Sequence, residues 1–331
     1  MQYMNKIKLV WTYTAIAISL YAIWVFKSDI KNLETIENFN PYLVLTGIFF
    51  AFLNYILRAY RWHWLLNKSG EKINISKSFL SFFSGFFYTF TPGKIGEISK
   101  SLHLYQLSKI PARKSMPIIW IERTSDVAGV AILSFPIFAY LFTNNNKYFY
   151  ENSTQMIIAS LAFGLITAIC LFFLGKILGK KIINQSNSIK SKKDFFETFS
   201  KTLNLLKENL FRLVAWGWLA WVLEGITCLL CLKAIGAEIP FSFIENATMA
   251  TRFYSSSMLA GALSFVPGGL GATEITLTNL FVSTGMETKI ATNGTFLTRV
   301  ATLWVGFPIG IISIIKINKK KGRALRLSPP R

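Results

Sequence analysis

Long apolar runs constrain this chain more than any other feature of its sequence. Residues 9–26 form an uncharged apolar run of 18 residues, and about 20 apolar residues let a helix cross the hydrocarbon core of a bilayer. No small-residue cleavage site follows the run, so we predict a transmembrane segment rather than a signal peptide. Five further runs lie at about 41–57, 116–142, 156–174, 213–232 and 290–315. The expected fold class is an all-α integral membrane protein with about six transmembrane helices.

Composition and charge agree with a membrane protein. Of the 331 residues, 52% are hydrophobic and 16% are charged, and the net charge is +20. The basic residues stand between the apolar runs, which favours contact with a membrane surface over binding of nucleic acid. The three cysteines lie in apolar segments and the two histidines in basic, aromatic stretches. We therefore expect neither a metal site nor a cofactor.

Two Pro-Gly breaks interrupt the apolar pattern. The first is Pro92-Gly93-x-x-Gly96-Glu97, and the second is Pro267-Gly268-Gly269-x-Gly271-x-x-Glu274. Proline removes a backbone donor and glycine permits unusual φ values, so each break can end one half-helix and start another. Arg123 lies 31 residues after the first proline, and Arg299 lies 32 residues after the second.

The basic residues predict the topology. With the N-terminus in the cytoplasm and each Pro-Gly region entering and leaving on one side, the cytoplasmic segments hold 28 Lys and Arg and the outer segments hold 6. This is the positive-inside bias. It predicts two re-entrant hairpins, at about 78–110 and 246–286, in an inverted repeat of about 1–145 and 153–318. Both termini are then cytoplasmic, with a basic tail at 316–331. Inverted repeats typically serve a site near the midplane from both sides.

The charged residues near the breaks are the candidate site. A half-helix that begins near Gly96 or Gly271 presents free N–H groups that suit an anion, and an arginine can bind a phosphate through two hydrogen bonds. Ionisable groups inside membrane helices are expensive, which favours a functional role. The alternative is a purely structural role, in which these charges neutralise one another or cap their own helices. The candidates for substrate passage are the two breaks together with Glu122, Arg123, Asp126, Glu224, Arg252 and Arg299, and Arg58 and Arg61 are candidate headgroup or interface anchors.

Four motifs in order resemble one known family. Arg58-x-x-Arg61-Trp62, Pro92-Gly93-x-x-Gly96-Glu97, Glu122-Arg123-x-x-Asp126 and the second break together look like the lysylphosphatidylglycerol synthase transmembrane domain family, also called flippase-like domain proteins. The resemblance covers nearly the whole chain. In the two-part enzymes of that family, such a domain is linked to flipping aminoacylated phosphatidylglycerol, which a soluble C-terminal domain makes. We expect no synthase domain here, because the sequence ends at Arg331.

The resemblance implies a prokaryotic inner-membrane protein that flips a phosphate-containing lipid. Candidate partners are an anionic or aminoacylated phospholipid and a polyprenyl-phosphate-linked sugar. The sequence leaves open whether the protein forms a homo-oligomer. The sequence contains no Gly-x-x-x-x-Gly-Lys-Ser/Thr nucleotide motif. Two alternatives remain at this point: an intramembrane lipid-headgroup transferase, and a non-transporting partner of a lipid or glycan assembly complex. The expectation is a transporter rather than an enzyme.

Overall fold

The computed structural model describes residues 39–89, 96–143, 145, 153–185, 189–237 and 242–327, and this part is helical without a strand. Its helices are α1 Pro41–Lys68, α2 Ile75–Ser84, α3 Gly96–Ser108, α4 Ala112–Thr143, α5 Thr154–Gln185, α6 Ile189–Glu208, α7 Leu210–Ala234, α8 Phe243–Leu263, α9 Ala272–Val282, α10 Thr288–Arg299 and α11 Gly306–Leu327. The prediction of an all-α membrane protein is confirmed.

Five spans of the described chain are long and apolar enough to cross a membrane: Pro41–Lys68, Ala112–Thr143, Thr154–Gly175, Leu210–Ala234 and Thr288–Lys319. They match the second to sixth predicted segments, and the first, at 9–26, lies outside the described residues. The last span differs from a plain helix, because a π-helical turn, Val300–Trp304, separates α10 from α11. A turn of this kind is frequent at functional sites.

A pair of helices flanks each predicted break. The first pair is α2, extended by a 3-10 turn at Gly85–Tyr88, and α3. The second pair is α8 and α9, and a short 3-10 turn at Pro267–Gly269 lies between them. Each pair precedes a span of membrane length, which is α4 after the first pair and Thr288–Lys319 after the second. The re-entrant arrangement and the repeat boundaries stay predictions.

Local sequence explains where the second hairpin turns. Helix α8 starts at a capping box of Ser242 and Glu245. After it ends, Gly268, Gly269 and Gly271 adopt φ values of 65°, 67° and 85°, which are favourable only for glycine. The N–H of Gly271 then donates to the Glu274 carboxylate at 2.7 Å, so the first turn of α9 is capped by its own side chain.

Helix α7 lies at the centre of the bundle and packs against α1, α4, α8 and α10. Small residues bring α7 close to α4: a Cβ on Gly129 would lie 2.6 Å from the Gly217 carbonyl carbon, and a Cβ on Gly217 would meet the Ser125 carbonyl group. Close backbone approach through small residues is how membrane helices gain packing energy. This contact fixes the position of Ser125 and of its neighbour Asp126 relative to α7.

The α4–α7 contact predicts a sharp effect of one added methyl group. Gly217→Ala should destabilise the protein by about 1–3 kcal/mol, the usual cost of overpacking, seen as a lower unfolding temperature in detergent. Gly47→Ala is the matched control, because its Cβ would lie an ordinary 3.5 Å from Thr227. An equal unfolding temperature for the two variants would contradict the close α4–α7 packing.

Candidate functional site

Asp126, on α4, is the centre of a buried charge cluster. Its carboxylate accepts hydrogen bonds from Arg58 at 2.8 Å and Arg61 at 2.7 Å, both on α1. Arg123, one turn back on α4, forms a third ion pair at 2.8 Å. Arg61 also donates to the Ser125 hydroxyl at 2.6 Å. One carboxylate thus holds three guanidinium groups from two helices.

The three arginines differ in exposure. The side chains of Arg61 and Arg58 are 1% and 12% exposed, whereas that of Arg123 is 31% exposed. Arg61 is thus enclosed by protein, whereas nearly a third of the Arg123 side chain stays exposed. The structure therefore differs from the expectation that Arg58 and Arg61 anchor α1 at the membrane surface: α1 continues to Lys68, and both arginines turn inward to Asp126.

Glu224, on α7, extends the cluster towards α8. It accepts hydrogen bonds from the Asn54 amide at 2.5 Å and the Tyr254 hydroxyl at 2.6 Å. Arg58 lies 3.9 Å from the same carboxylate and bonds the Asn54 side chain at 2.9 Å. Helices α1, α7 and α8 therefore meet in polar contacts at Glu224.

Trp221 joins α7 to the Asp126 end of the cluster. Its indole N–H donates to the Asp126 backbone carbonyl at 3.0 Å, and its ring lies 4.9 Å from the Arg58 guanidinium carbon. A cation over an aromatic face is stabilised by the electron-rich ring. Counted over the described residues, the cluster holds three arginines and two carboxylates, Asp126 and Glu224, so the formal charge of these five groups is positive.

A second charge pair lies at the second hairpin. Arg299, on α10, donates to Glu274 at 2.6 Å and to the Gly268 carbonyl oxygen at 2.7 Å. Arg299 and Glu274 are at most 1% exposed. The structure thus places Arg299 beside the second break. Both anion-binding elements there, the N-terminus of α9 and Arg299, are engaged by Glu274.

Two tyrosines add polar contacts beside these groups. The Tyr55 hydroxyl donates to the Thr302 carbonyl oxygen in the π-helical turn. The Tyr254 hydroxyl donates to Glu224 at 2.6 Å. Tyr55 therefore ties α1 to the turn that follows Arg299, and Tyr254 ties α8 to Glu224 of α7.

Glu122 has a different partner from its neighbours. It forms a buried ion pair with Lys100 of α3, and the Lys100 ammonium lies 4.6 Å from the centre of the Trp62 ring. The second carboxylate oxygen of Glu122 is buried and has no hydrogen-bond partner among the described residues. Glu122 therefore ties α4 to the first hairpin and does not join the Asp126 cluster.

The remaining predicted residues lie elsewhere. Arg252 is buried on α8, 6% exposed, and lines a cavity on another side of α7. Pro92 and Gly93 lie outside the described residues, as does the Glu97 side chain, and Gly96 begins α3. Their proposed role in substrate passage stays a prediction. Within the described ranges, no group of three His, Cys, Asp or Glu side chains is arranged to hold a metal ion.

Sequence reasoning missed the uncharged members of the site. Asn54, Tyr254, Trp221 and Thr302 carry no charge in the sequence, and a polar or aromatic residue in an apolar run gives only a weak signal. Asn54 could have been found, because it precedes Arg58 by one helical turn and therefore shares its face. Lys100 was counted only as a cytoplasmic charge.

Comparison with known proteins gives a family match over most of the chain. Residues 13–310 match the family model described as "Lysylphosphatidylglycerol synthase TM region". A UPF0104 membrane protein of Pyrococcus horikoshii is 23% identical over 299 residues, which cover 83% of this chain and 87% of that protein. A UPF0104 membrane protein of Methanothermobacter thermautotrophicus is 29% identical over 94 residues, covering 28% and 26% of the two chains.

Removal of the Asp126 charge should be costly. Asp126→Asn keeps the shape and leaves three guanidinium groups without their anion, so we expect a loss of about 3–5 kcal/mol of stability, measured as a lower unfolding temperature in detergent. The control is Glu71→Gln, which breaks a pair with Lys114, whose side chain is 42% exposed. That change should cost about 1 kcal/mol at most. Similar losses in both variants would refute the central position of Asp126.

The second charge pair should behave as a unit. Glu274→Gln and Arg299→Gln each leave one buried charge without its counterpart, whereas the double variant removes both charges. We therefore expect the double variant to lose less stability than the two single losses combined, by about 0.5–3 kcal/mol. Chemical unfolding of the four proteins in one detergent measures this coupling. Strict additivity would show that the ion pair does not hold the hairpin.

Proposed function

Because this chain belongs to the family of the lysylphosphatidylglycerol synthase TM region, we propose that it translocates a phosphate-containing lipid, or a lipid-linked headgroup, across the cytoplasmic membrane. The chain is a multi-pass membrane protein, as its membrane-length helices and its relatives indicate. The observation that carries the proposal is the positive cluster around Asp126, where Arg123 keeps 31% of its side chain exposed.

The arginines of the Asp126 cluster favour an anionic substrate. Arginines inside membrane helices are expensive and mark substrate pathways by default. Arg58 and Arg61 offset the charge of Asp126, and this arrangement orients Arg123 without neutralising the cluster. A phosphate group can accept two parallel hydrogen bonds from one guanidinium group, one on each of two oxygens. Arg123 is therefore the proposed first contact for the headgroup.

At the second hairpin, the phosphate of the headgroup would replace the Glu274 carboxylate. Glu274 holds the N–H of Gly271 and the side chain of Arg299, which are the groups that a phosphate would use. A phosphate that enters there replaces a carboxylate, so charge is conserved at the site. The Glu274 carboxylate thus occupies the position that the phosphate would take. No covalent bond of the lipid is broken in this exchange. In this proposal the protein is a transporter and not an enzyme.

The distribution of basic residues supports the orientation. The cytoplasmic segments of the proposed topology hold 28 Lys and Arg, against 6 outside. Both termini then lie in the cytoplasm. Arg123 is the twelfth residue of α4, counted from its cytoplasmic start at Ala112. In this orientation the headgroup enters from the cytoplasmic leaflet.

Translocation in proteoliposomes that contain only this protein tests the proposal. The labelled lipids are phosphatidylglycerol, its lysyl form, a polyprenyl-phosphate sugar and a phosphate-free glycolipid. We expect at least one phosphate-bearing lipid to cross faster than in protein-free vesicles, and the glycolipid to stay at the background rate. Arg123→Ala should slow that movement about tenfold or more, the effect of losing one charge-assisted hydrogen bond.

Two controls make this test specific. Arg123→Lys keeps the charge but not the paired donors and should retain part of the rate, while Arg212→Ala removes an exposed arginine of α7 and should have no effect. Lipid recovered from the vesicles should be chemically unchanged. A wild-type rate in folded Arg123→Ala protein would overturn the role of Arg123, and a chemically altered lipid would favour the transferase alternative.

A further inference from the structure

A cavity of about 470 Å³ lies between α4, α5, α7 and α8. This volume lies within the range of about 300–1,000 Å³ that small-molecule sites occupy. Its lining is mostly aliphatic and aromatic. Among the described residues that line it, the polar side chains are three with hydroxyl groups and one arginine, namely Ser160, Thr248, Thr251 and Arg252.

The cavity has an apolar mouth and a polar floor. Ile244, Ile157 and Trp218 line it and are 71%, 46% and 41% exposed. Thr251 and Arg252, which also line it, are 5% and 6% exposed. In a membrane, an exposed apolar mouth contacts lipid chains rather than water. The cavity therefore leads from the lipid phase to a buried cation.

Helix α7 separates this cavity from the Asp126 cluster. Trp218, Val222 and Ile226 recur every four residues and line the cavity, whereas Trp221 and Glu224 contact the cluster on another face. Helix α8 is divided in the same way, with Arg252 at the cavity and Tyr254 at Glu224. The floor nevertheless lies at the depth of Glu224, because Thr251 packs against Gly225.

The cavity and Arg123 lie at different depths. Pro136 of α4 lines the cavity and follows Arg123 by 13 residues, about 20 Å along a helix at 1.5 Å per residue. A lipid that moves through the protein must keep its chains in apolar surroundings while its charged group is held by protein. The cavity offers an apolar wall for the lipid chains and the Arg252 guanidinium group for the charged group.

We infer that this cavity is a binding site for a phosphate-bearing lipid, with one acyl chain against the apolar wall and the phosphate on Arg252. Charge complementarity and the lipid-facing mouth select this occupant. The hydroxyls of Thr248 and Thr251 are additional donors to phosphate oxygens. The inference rests on the proposed function, because the cavity would be a second binding site for the transported lipid. This site lies farther along α4 from Ala112 than Arg123 does.

Photo-crosslinking tests the site. The probe is phosphatidylglycerol with a diazirine in its acyl chain, and diacylglycerol with the same chain is the phosphate-free reference. In vesicles with the full-length protein, we expect phosphatidylglycerol to label the cavity walls of α5 and α8 in preference to diacylglycerol. Arg252→Ala should reduce this preference about tenfold, Arg252→Lys should retain most of it, and Arg212→Ala should leave it unchanged.

A second variant covers the case in which Arg252→Ala fails to fold. Ala247 lines the cavity, and Ala247→Trp should fill it and remove the labelling of α8 by both lipids. Labelling that is equal for both lipids in the wild-type protein, or unchanged in folded Arg252→Ala and Ala247→Trp, overturns the inference.

The two proposals fail separately. Phosphate-dependent labelling without lipid movement in the wild-type protein supports the binding site and overturns the proposed transport. Movement that depends on Arg123, together with labelling that ignores Arg252, supports transport and overturns this site.

Discussion

The ion pairs between Asp126 and three arginines are the interaction on which the rest of the structure depends. A charge inside a membrane protein is tolerated when it is paired and hydrogen-bonded. Asp126 meets this condition for Arg58, Arg61 and Arg123, and so fixes α1 against α4. Gly217 brings α7 against the same turn of α4, and Trp221 then bonds the Asp126 carbonyl. Three membrane-length helices are thus aligned by one carboxylate and its nearest neighbours.

From this point polar contacts continue to α8, because Glu224 joins α1, α7 and α8 through Asn54 and Tyr254. The second hairpin has buried contacts of its own, since Arg299 holds Glu274 and the Gly268 carbonyl oxygen. Tyr55 of α1 bonds the π-helical turn at Val300–Trp304, which follows Arg299. These groups are held by neighbours from other helices, so a headgroup that displaced one of them would change the surroundings of its neighbours.

Much of the fold follows from sequence pattern alone. Apolar length predicts the membrane helices, and glycines with positive φ explain why the second break lies where Pro267 predicts it. Both features depend on residues that are close together in the sequence, so the sequence pattern is enough to find them.

The partners of the charges were harder to predict. Sequence proximity grouped Glu122 with Asp126, yet Glu122 pairs with Lys100, because residues four apart on α4 still face different neighbours once α3 packs there. Arg58 and Arg61 resemble surface anchors in sequence, since a basic and aromatic cluster at a helix end is typical of an interface. Only the packing of α4 against α1 reveals that they turn inward to Asp126. Tertiary contact, and not residue type, decides which charges are enclosed by protein and which stay partly exposed.

The most direct test of the central claim is an experimental structure of the protein in nanodiscs that contain phosphatidylglycerol. The account predicts Arg58 and Arg61 on Asp126 and a lipid phosphate within hydrogen-bonding distance of Arg123. A structure in which Asp126 holds no arginine of α1, or in which lipid phosphates lie only at the outer rim of the bundle, would contradict it.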